Sequence, residues 1–298
     1  MRRIVLLGGG FSTDPDALLD DYALGLAGRD RARVCFLPTA SGDSAAYVER
    51  FHAAFGDRAE ATHLPLFSRE PGDLREVLLA QDVIYAGGGN TANALALWRL
   101  HGVDEALAEA YAAGVLLCGI SAGAICWFEA ALTDSFGGAD VLRDGLGLLA
   151  GSACPHYDGE ALRRPAYEAA VGSGALPGGW GIDDGVAALF TGGELTEVVS
   201  RAPGAHAPRR AGRRRRRGHH GAPRREAAAV VTRSGEVPPR ACSFRHGAGR
   251  GFITDQAREH VVDPARRAGL HLLGGHPVPR RDRLRHALHA TSLSDAVL

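Results

Sequence analysis

The chain of 298 residues contains no lysine; all 34 of its basic residues are arginine. A P-loop, which needs a lysine to reach the phosphates of a nucleotide, is therefore excluded. No C-x-x-C pair occurs, and the five cysteines (Cys35, Cys118, Cys126, Cys154, Cys242) are odd in number and lie mostly inside apolar runs. That usage excludes a disulfide framework and predicts reduced core thiols, hence a cytoplasmic protein. No run approaches the roughly 18 apolar residues of a membrane span. Arg2 and Arg3 precede IVLLGGGF, but this apolar run is too short for a signal peptide and ends in the acidic FSTDPD. Neither membrane association nor export is expected.

The formal net charge of zero conceals two unlike halves. Residues 1–200 carry 13 arginines against 27 acidic residues, and residues 201–298 carry 21 arginines against 7. An apolar content of 45% is ample for a core.

Up to about residue 200, short apolar runs alternate with longer amphipathic segments. The strand-like runs are RIVLLGG (3–9), RVCFLPT (33–39), DVIYAGG (82–88) and GVLLCGI (114–120), with a weaker one at ATHLPLF (61–67). Between them lie helical patterns: DALLDDYALGLAG, SAAYVERFHAAFG, DLREVLLA, TANALALWRL and VDEALAEAYAAG. Strands apolar on both faces, separated by helices, predict a doubly wound, mostly parallel α/β sheet. VAALF, the turn TGGE and LTEVVS predict a β-hairpin that adds antiparallel strands near residue 200. Ligands of such sheets bind beyond the carboxyl ends of the strands, so the informative loops are GGGFSTD, PTASGDS, GGGNT and GISAG.

In CGISAGAICWF (118–128), Gly119, Ser121 and Gly123 form G-x-S-x-G where a strand gives way to a helix. Small neighbours are what a strained turn needs to present a nucleophilic serine, although a tight turn that needs glycines for packing alone would read the same way. The following helix would aim free N–H groups at the serine, making the Ala122 N–H a natural oxyanion donor. A second donor is expected from GGGNT, where Gly87–Gly89 leave the backbone open and Asn90 can cap the next helix. Neither this glycine run nor Gly8–Gly10 fits G-x-G-x-x-G, so a dinucleotide site is not expected.

A serine nucleophile needs a base. Four histidines precede residue 200: His52 and His101 in or beside helical patterns, His63 on the weak strand, and His156 in the polar loop SACPHYDGE. The loop position suits a base reaching towards the elbow. His156, Asp158 and Glu160 alone make a poor metal set, because no second histidine lies near them. The carboxylate that would fix the imidazole tautomer is either Asp134, in TDSFGG, or Asp184, in GIDDG, and the sequence does not choose between them.

GGGNT, GISAGAICWF, TDS and CPHYDGE, in this order, resemble the peptidase E (aspartyl dipeptidase) family of serine peptidases, to which cyanophycinase is related. The resemblance covers residues 1 to about 200. It implies a fold similar to the class I glutamine amidotransferases, which carry cysteine at the elbow position held here by Ser121. It further implies Ser121 as nucleophile, His156 as base, Gly88 and Ala122 as oxyanion hole, and Asp134 or Asp184 as the supporting acid. In the family an arginine shortly after the histidine recognises an N-terminal Asp, which points to Arg163 or Arg164 together with Asn90 for substrate binding. The expected function is cleavage of short peptides, those with N-terminal Asp included, with no metal or organic cofactor.

From residue 201 the pattern stops, and RAPGAHAPRRAGRRRRRGHHGAPRREAAA takes over without a periodic apolar face. Residues 201–298 are expected to be a disordered, Arg-rich, low-complexity tail or the product of a shifted reading frame in a GC-rich gene, which resequencing decides. Arg213–Arg217 would otherwise suit phosphates, and a silent module with a nucleic-acid-binding tail is the alternative reading. Phe244 and Phe252 lie far from that run, so base stacking finds no support and no nucleic-acid partner is expected for the enzyme itself.

Overall fold

A computed structural model describes residues 1–68, 72–201 and 204–212, and the backbone of 231–234. All of these belong to one compact unit, Met1–Ala241. Its first half alternates as the sequence pattern requires: β1 (Arg3–Leu7), α1 (Leu18–Ala27), β2 (Arg33–Leu37), α2 (Ala45–Phe55), β3 (Glu60–His63), α3 (Leu74–Leu79), β4 (Val83–Ala86), α4 (Thr91–His101), α5 (Val103–Ala113), β5 (Leu116–Ile120) and the single turn α6 (Ala122–Ile125). Strands β1, β5, β4, β2 and β3 are parallel neighbours in that order.

Side chains alternate across these strands with the period of two that a pleated backbone dictates. Val5, Val34, Phe36 and Tyr85 share one core with Leu19 of α1 and Phe51 and Phe55 of α2. Ile4, Cys35, Ile84 and Leu117 share the other with Leu78 of α3, Trp98 of α4 and Leu107 of α5. Both faces are therefore covered by helices. Asp73 caps α3 by accepting the Arg75 and Glu76 N–H groups, and Asn90 caps α4 by accepting that of Asn93 at 2.9 Å.

The second half adds β6 (Phe128–Thr133), β7 (Asp140–Leu142), β8 (Leu149–Cys154), α7 (Arg163–Ser173), β9 (Gly179–Gly181), β10 (Val186–Thr191), β11 (Glu194–Ser200), β12 (Arg209–Arg210) and β13 (Val231–Ser234). β10 lies antiparallel to both β1 and β11, turning through Gly192 and Gly193, and β13 pairs parallel to β11. The central sheet thus has eight strands, and a second sheet runs in the order β12-β9-β8-β6-β7. That second sheet carries α7 through Tyr157, Tyr167 and Val171. β7, β9 and β12 are two or three residues long, and β6 and β8 draw much of their length from alanine, glycine and serine, which hides them from a reading based on apolar runs.

Among the described residues, Arg201 and the stretch 204–212 are bonded to the domain. The Arg201 N–H bonds the Gly185 carbonyl, and its guanidinium pairs with Asp16 at 2.7 Å and Asp14 at 3.4 Å. Asp183 and Gly181 donate to the carbonyls of His206 and Pro208, and β12 pairs with β9. Backbone groups at the edge of the second sheet are satisfied by this stretch, a function its composition does not announce. The arginine run 213–217 and residues 235–298 lie outside the described residues.

Asp20 is buried beneath the β1–α1 loop and accepts a hydrogen bond from Tyr85 Oη at 3.2 Å. Burial pushes its carboxyl up to about 7, against the smaller opposing effects of Tyr85 and Arg58. The folded chain therefore holds a proton that the unfolded chain releases near pH 4, and this stabilisation is lost as pH rises towards 7 and beyond. Asp20→Asn keeps the neutral shape, so its Tm relative to the native chain is expected to be higher at pH 8 than at pH 5 by about 5 °C or more. Equal Tm differences at the two pH values, measured by circular dichroism, would contradict this.

Candidate active site

Ser121 sits between β5 and α6 with φ 55° and ψ −113°, a backbone state that non-glycine residues seldom adopt. The flanking glycines have a separate cause. A Cβ on Gly123 would lie 2.1 Å from the Ala86 carbonyl oxygen, and one on Gly119 would lie 2.2 Å from that of Gly123. Backbone here packs directly on backbone, so the two glycines seat the turn while the serine carries the strained torsions. The helix expected after Ser121 is one turn long, which leaves little macrodipole. The Ala122 N–H, at the start of that turn, has no intrahelical acceptor.

His156 follows β8 and Asp184 lies between β9 and β10, so the second sheet delivers both towards the end of β5. His156 Nε2 stands 2.9 Å from Ser121 Oγ, and its Nδ1 stands 2.7 Å from Asp184 Oδ1. An ionised carboxylate only accepts hydrogen bonds, so Nδ1 bears the hydrogen and Nε2 is left to accept from the serine hydroxyl. The hydrogen bond that His156 donates to Asp184 holds the imidazole pKa above its ordinary value, against the opposing effect of burial. His156, like Ser121, has a positive φ, 51°. Asp158 Oδ1 accepts the Asp184 N–H at 2.8 Å, and a Cβ on Gly159 would fall 1.9 Å from Asp184 Oδ2. The D-G of CPHYDGE therefore seats the acid that meets the histidine.

Of the two carboxylates left open by the sequence, only Asp184 touches His156. Asp134 instead pairs with Arg163 Nη2 at 3.1 Å. Arg163 is buried, and Glu160 accepts from its Nε at 2.7 Å, while Nη1 is enclosed without a partner. Arg164 lies over the Tyr157 ring, 4.8 Å from its centroid. Asn90, besides capping α4, donates from Nδ2 to the Ser135 carbonyl at 3.0 Å and so ties the loop holding Asp134 to the glycine run. Gly88 lies beside the elbow, where a Cβ would be 3.4 Å from Ser121 Cβ, and its N–H donates to Tyr47 Oη at 3.1 Å. Nothing in SAAYVER marked Tyr47, which reads simply as the apolar face of α2.

The three remaining early histidines lie elsewhere: His52 and His63 hydrogen-bond each other at 3.0 Å between α2 and β3, and His101 ends α4. Among the described residues no group of three or more His, Cys, Asp or Glu is placed to hold a metal ion. Nor, among them, is any helix long and apolar enough to cross a membrane.

A serine, a histidine and an acid in line at the carboxyl end of a parallel sheet invite comparison with known proteins, and the result is a peptidase. The chain belongs to peptidase family S51, whose model matches residues 4–198. It is 49% identical over 212 residues to the uncharacterized peptidase YgaJ of Bacillus subtilis (strain 168), covering 70% of this chain and 92% of that one. Its fold is similar to two crystal structures. One is a "Putative Peptidase E Protein from Listeria monocytogenes EGD-e", with a TM-score of 0.54, 22% identity, and coverage of 68% of this chain and 100% of that one. The other is a peptidase from an acI-B1 Actinobacterium, with a TM-score of 0.53, 18% identity, and coverage of 71% and 95%.

Replacing the acid that holds the imidazole should change its titration. By NMR, the His156 midpoint is expected to fall in Asp184→Asn relative to the native chain and to stay put in Asp134→Asn. A midpoint that moves with Asp134 instead would reassign the supporting acid.

Proposed function

We propose that the chain is a serine peptidase of short peptides in which Ser121, His156 and Asp184 act as a triad. Support comes chiefly from the unbroken line of hydrogen bonds, Ser121 Oγ to His156 Nε2 at 2.9 Å and His156 Nδ1 to Asp184 at 2.7 Å. Ser121 Oγ attacks the scissile carbonyl as His156 takes its proton, and the negative oxygen that develops lies between the Ala122 N–H and the Gly88 loop. His156 then protonates the leaving amine, and a water activated by the same imidazole releases the acyl group. Asp184 orients the ring and stabilises its charged form throughout. The arrangement follows the plan of the class I glutamine amidotransferases with serine in the nucleophilic position.

The two arginines offered for an N-terminal Asp are engaged, Arg163 by Glu160 and Asp134 and Arg164 by Tyr157. A substrate carboxylate would compete at Arg163 with two carboxylates already paired to the guanidinium, Glu160 at 2.7 Å and Asp134 at 3.1 Å. Arg163 therefore serves to join the Asp134 and Glu160 loops, and acidic side chains on the substrate are not required.

Ser121→Ala is expected to lower kcat/KM on dipeptides by about four orders of magnitude or more and to abolish labelling by a fluorophosphonate, with the circular dichroism spectrum unchanged. Turnover within about a hundredfold of the native rate in the purified variant would refute the nucleophile. Across a dipeptide panel, Asp-Leu and Ala-Leu are expected to be cleaved with kcat/KM within about tenfold of each other. A hundredfold preference for Asp-Leu would return Arg163 to the substrate.

A further inference from the structure

The Gly88 N–H, one of the two groups expected to face the oxyanion, already has an acceptor in Tyr47 Oη at 3.1 Å. That acceptor is not free to leave. Tyr47 is buried, stacked on Phe11 with ring centroids 5.3 Å apart, set edge-on to Phe36 at 5.1 Å, and backed by the Arg50 guanidinium 5.2 Å from its ring centre. On another side, a Cβ at Gly87 would meet Tyr47 Cε1 at 3.1 Å, so the phenol fills the space against the glycine run. A substrate oxygen arriving at Gly88 would therefore meet the tyrosine hydroxyl.

A hydroxyl that accepts from an N–H still has its own hydrogen to give. The other partner of Tyr47 Oη is Ser12 Oγ at 3.5 Å, at the long limit of a hydrogen bond. The hydroxyl is also close to the elbow: Ser121 Cβ and Tyr47 Oη lie 3.4 Å and 3.8 Å from the same point, the Cβ position of Gly88. We propose that Tyr47 is a catalytic residue whose hydroxyl donates to the oxyanion opposite the Ala122 N–H, while the Gly88 N–H acts through it by polarising the O–H bond. This rests on the reading of Ser121 as nucleophile. No bond to tyrosine forms or breaks: the O–H turns from Ser12 to the tetrahedral oxygen when Ser121 adds to the carbonyl, and turns back when the amine leaves. Burial holds the Tyr47 phenol above its ordinary value, so it remains a donor at neutral pH. Accepting the Gly88 N–H draws electron density towards the oxygen and strengthens its O–H as a donor, as in any hydrogen-bonded chain.

The test uses the full chain with the dipeptide that the native protein cleaves best. Tyr47→Phe is expected to lower kcat about 10²- to 10³-fold with KM within about threefold, and to weaken binding of a peptide boronate, which mimics the tetrahedral state, by a similar factor. A ring-fluorinated tyrosine at position 47 keeps the packing and makes the phenol more acidic. It should move the alkaline loss of kcat/KM to lower pH, because a phenolate cannot donate, and it serves as the decisive variant should Tyr47→Phe fold poorly. An unchanged or raised kcat in Tyr47→Phe would overturn the assignment and make Gly88 the direct donor, as would an alkaline limb that ignores fluorination. The two readings fail separately: loss of both fluorophosphonate labelling and turnover in the native chain would sink the nucleophile and Tyr47 with it, whereas a native chain that labels and cleaves beside an equally active Tyr47→Phe would sink Tyr47 alone.

Discussion

At the elbow, backbone rests on backbone, and the rest of the site follows from that contact. The carbonyl of Ala86 on β4 occupies the place where a side chain of residue 123 would be, and the carbonyl of Gly123 does the same to residue 119. The turn after β5 is thereby pressed against the carboxyl end of its neighbouring strand, and Ser121 absorbs the strain in a positive φ. Such torsions persist only where the surroundings over-determine them, here by burial of Ala122, Ala124 and Ile125 against the core. Once the serine is fixed in this way, everything it needs must be brought to it.

What is brought comes from the second sheet and from the loops of the first. β8 ends two residues before His156, and the β9–β10 connection, bonded to Gly8 through Gly185, carries Asp184. Asp158 and Gly159 lock the two loops together, one by accepting an N–H and the other by lacking a side chain. Arg201 adds a third tie from just beyond β11, holding Gly185 by its backbone and the β1–α1 loop by Asp14 and Asp16. Electrostatics is thus divided between two tasks. Asp184 is directed at the imidazole, whereas Asp134 and Glu160 neutralise the buried guanidinium of Arg163 and close a loop.

Much of this architecture was legible beforehand because hydrophobic period is a local property. RIVLL, RVCFL and VIYA are apolar on both faces and read as buried strands, and the five helices between the strands announced themselves by spacing and, for α4, by the cap Asn90. The strands FEAALT and LAGSAC were not legible, since alanine and glycine signal neither strand nor helix, and the two-residue β12 lies in an arginine-rich stretch that reads as tail. Within the site, the serine was marked by its glycines and the histidine by its polar loop. Tyr47 was invisible, because a tyrosine on the apolar face of a helix looks the same whether its hydroxyl meets solvent or a backbone N–H.

The amino-acid sequence by itself determined the parallel α/β class, the position of the elbow, and the short set of polar residues from which a site could be assembled. These depend on periodicity and on steric rules acting over a few neighbouring residues. Only the tertiary structure decided that Asp184 rather than Asp134 meets His156, that Arg163 is engaged by the protein's own carboxylates, and that Tyr47 stands on the Gly88 N–H. Apart from the local pair of Arg163 with Glu160, those outcomes depend on distances of 3 Å or so between groups 28 to 41 residues apart in the chain, and contacts of that length are set by how sheets and loops pack, not by what lies beside them in sequence.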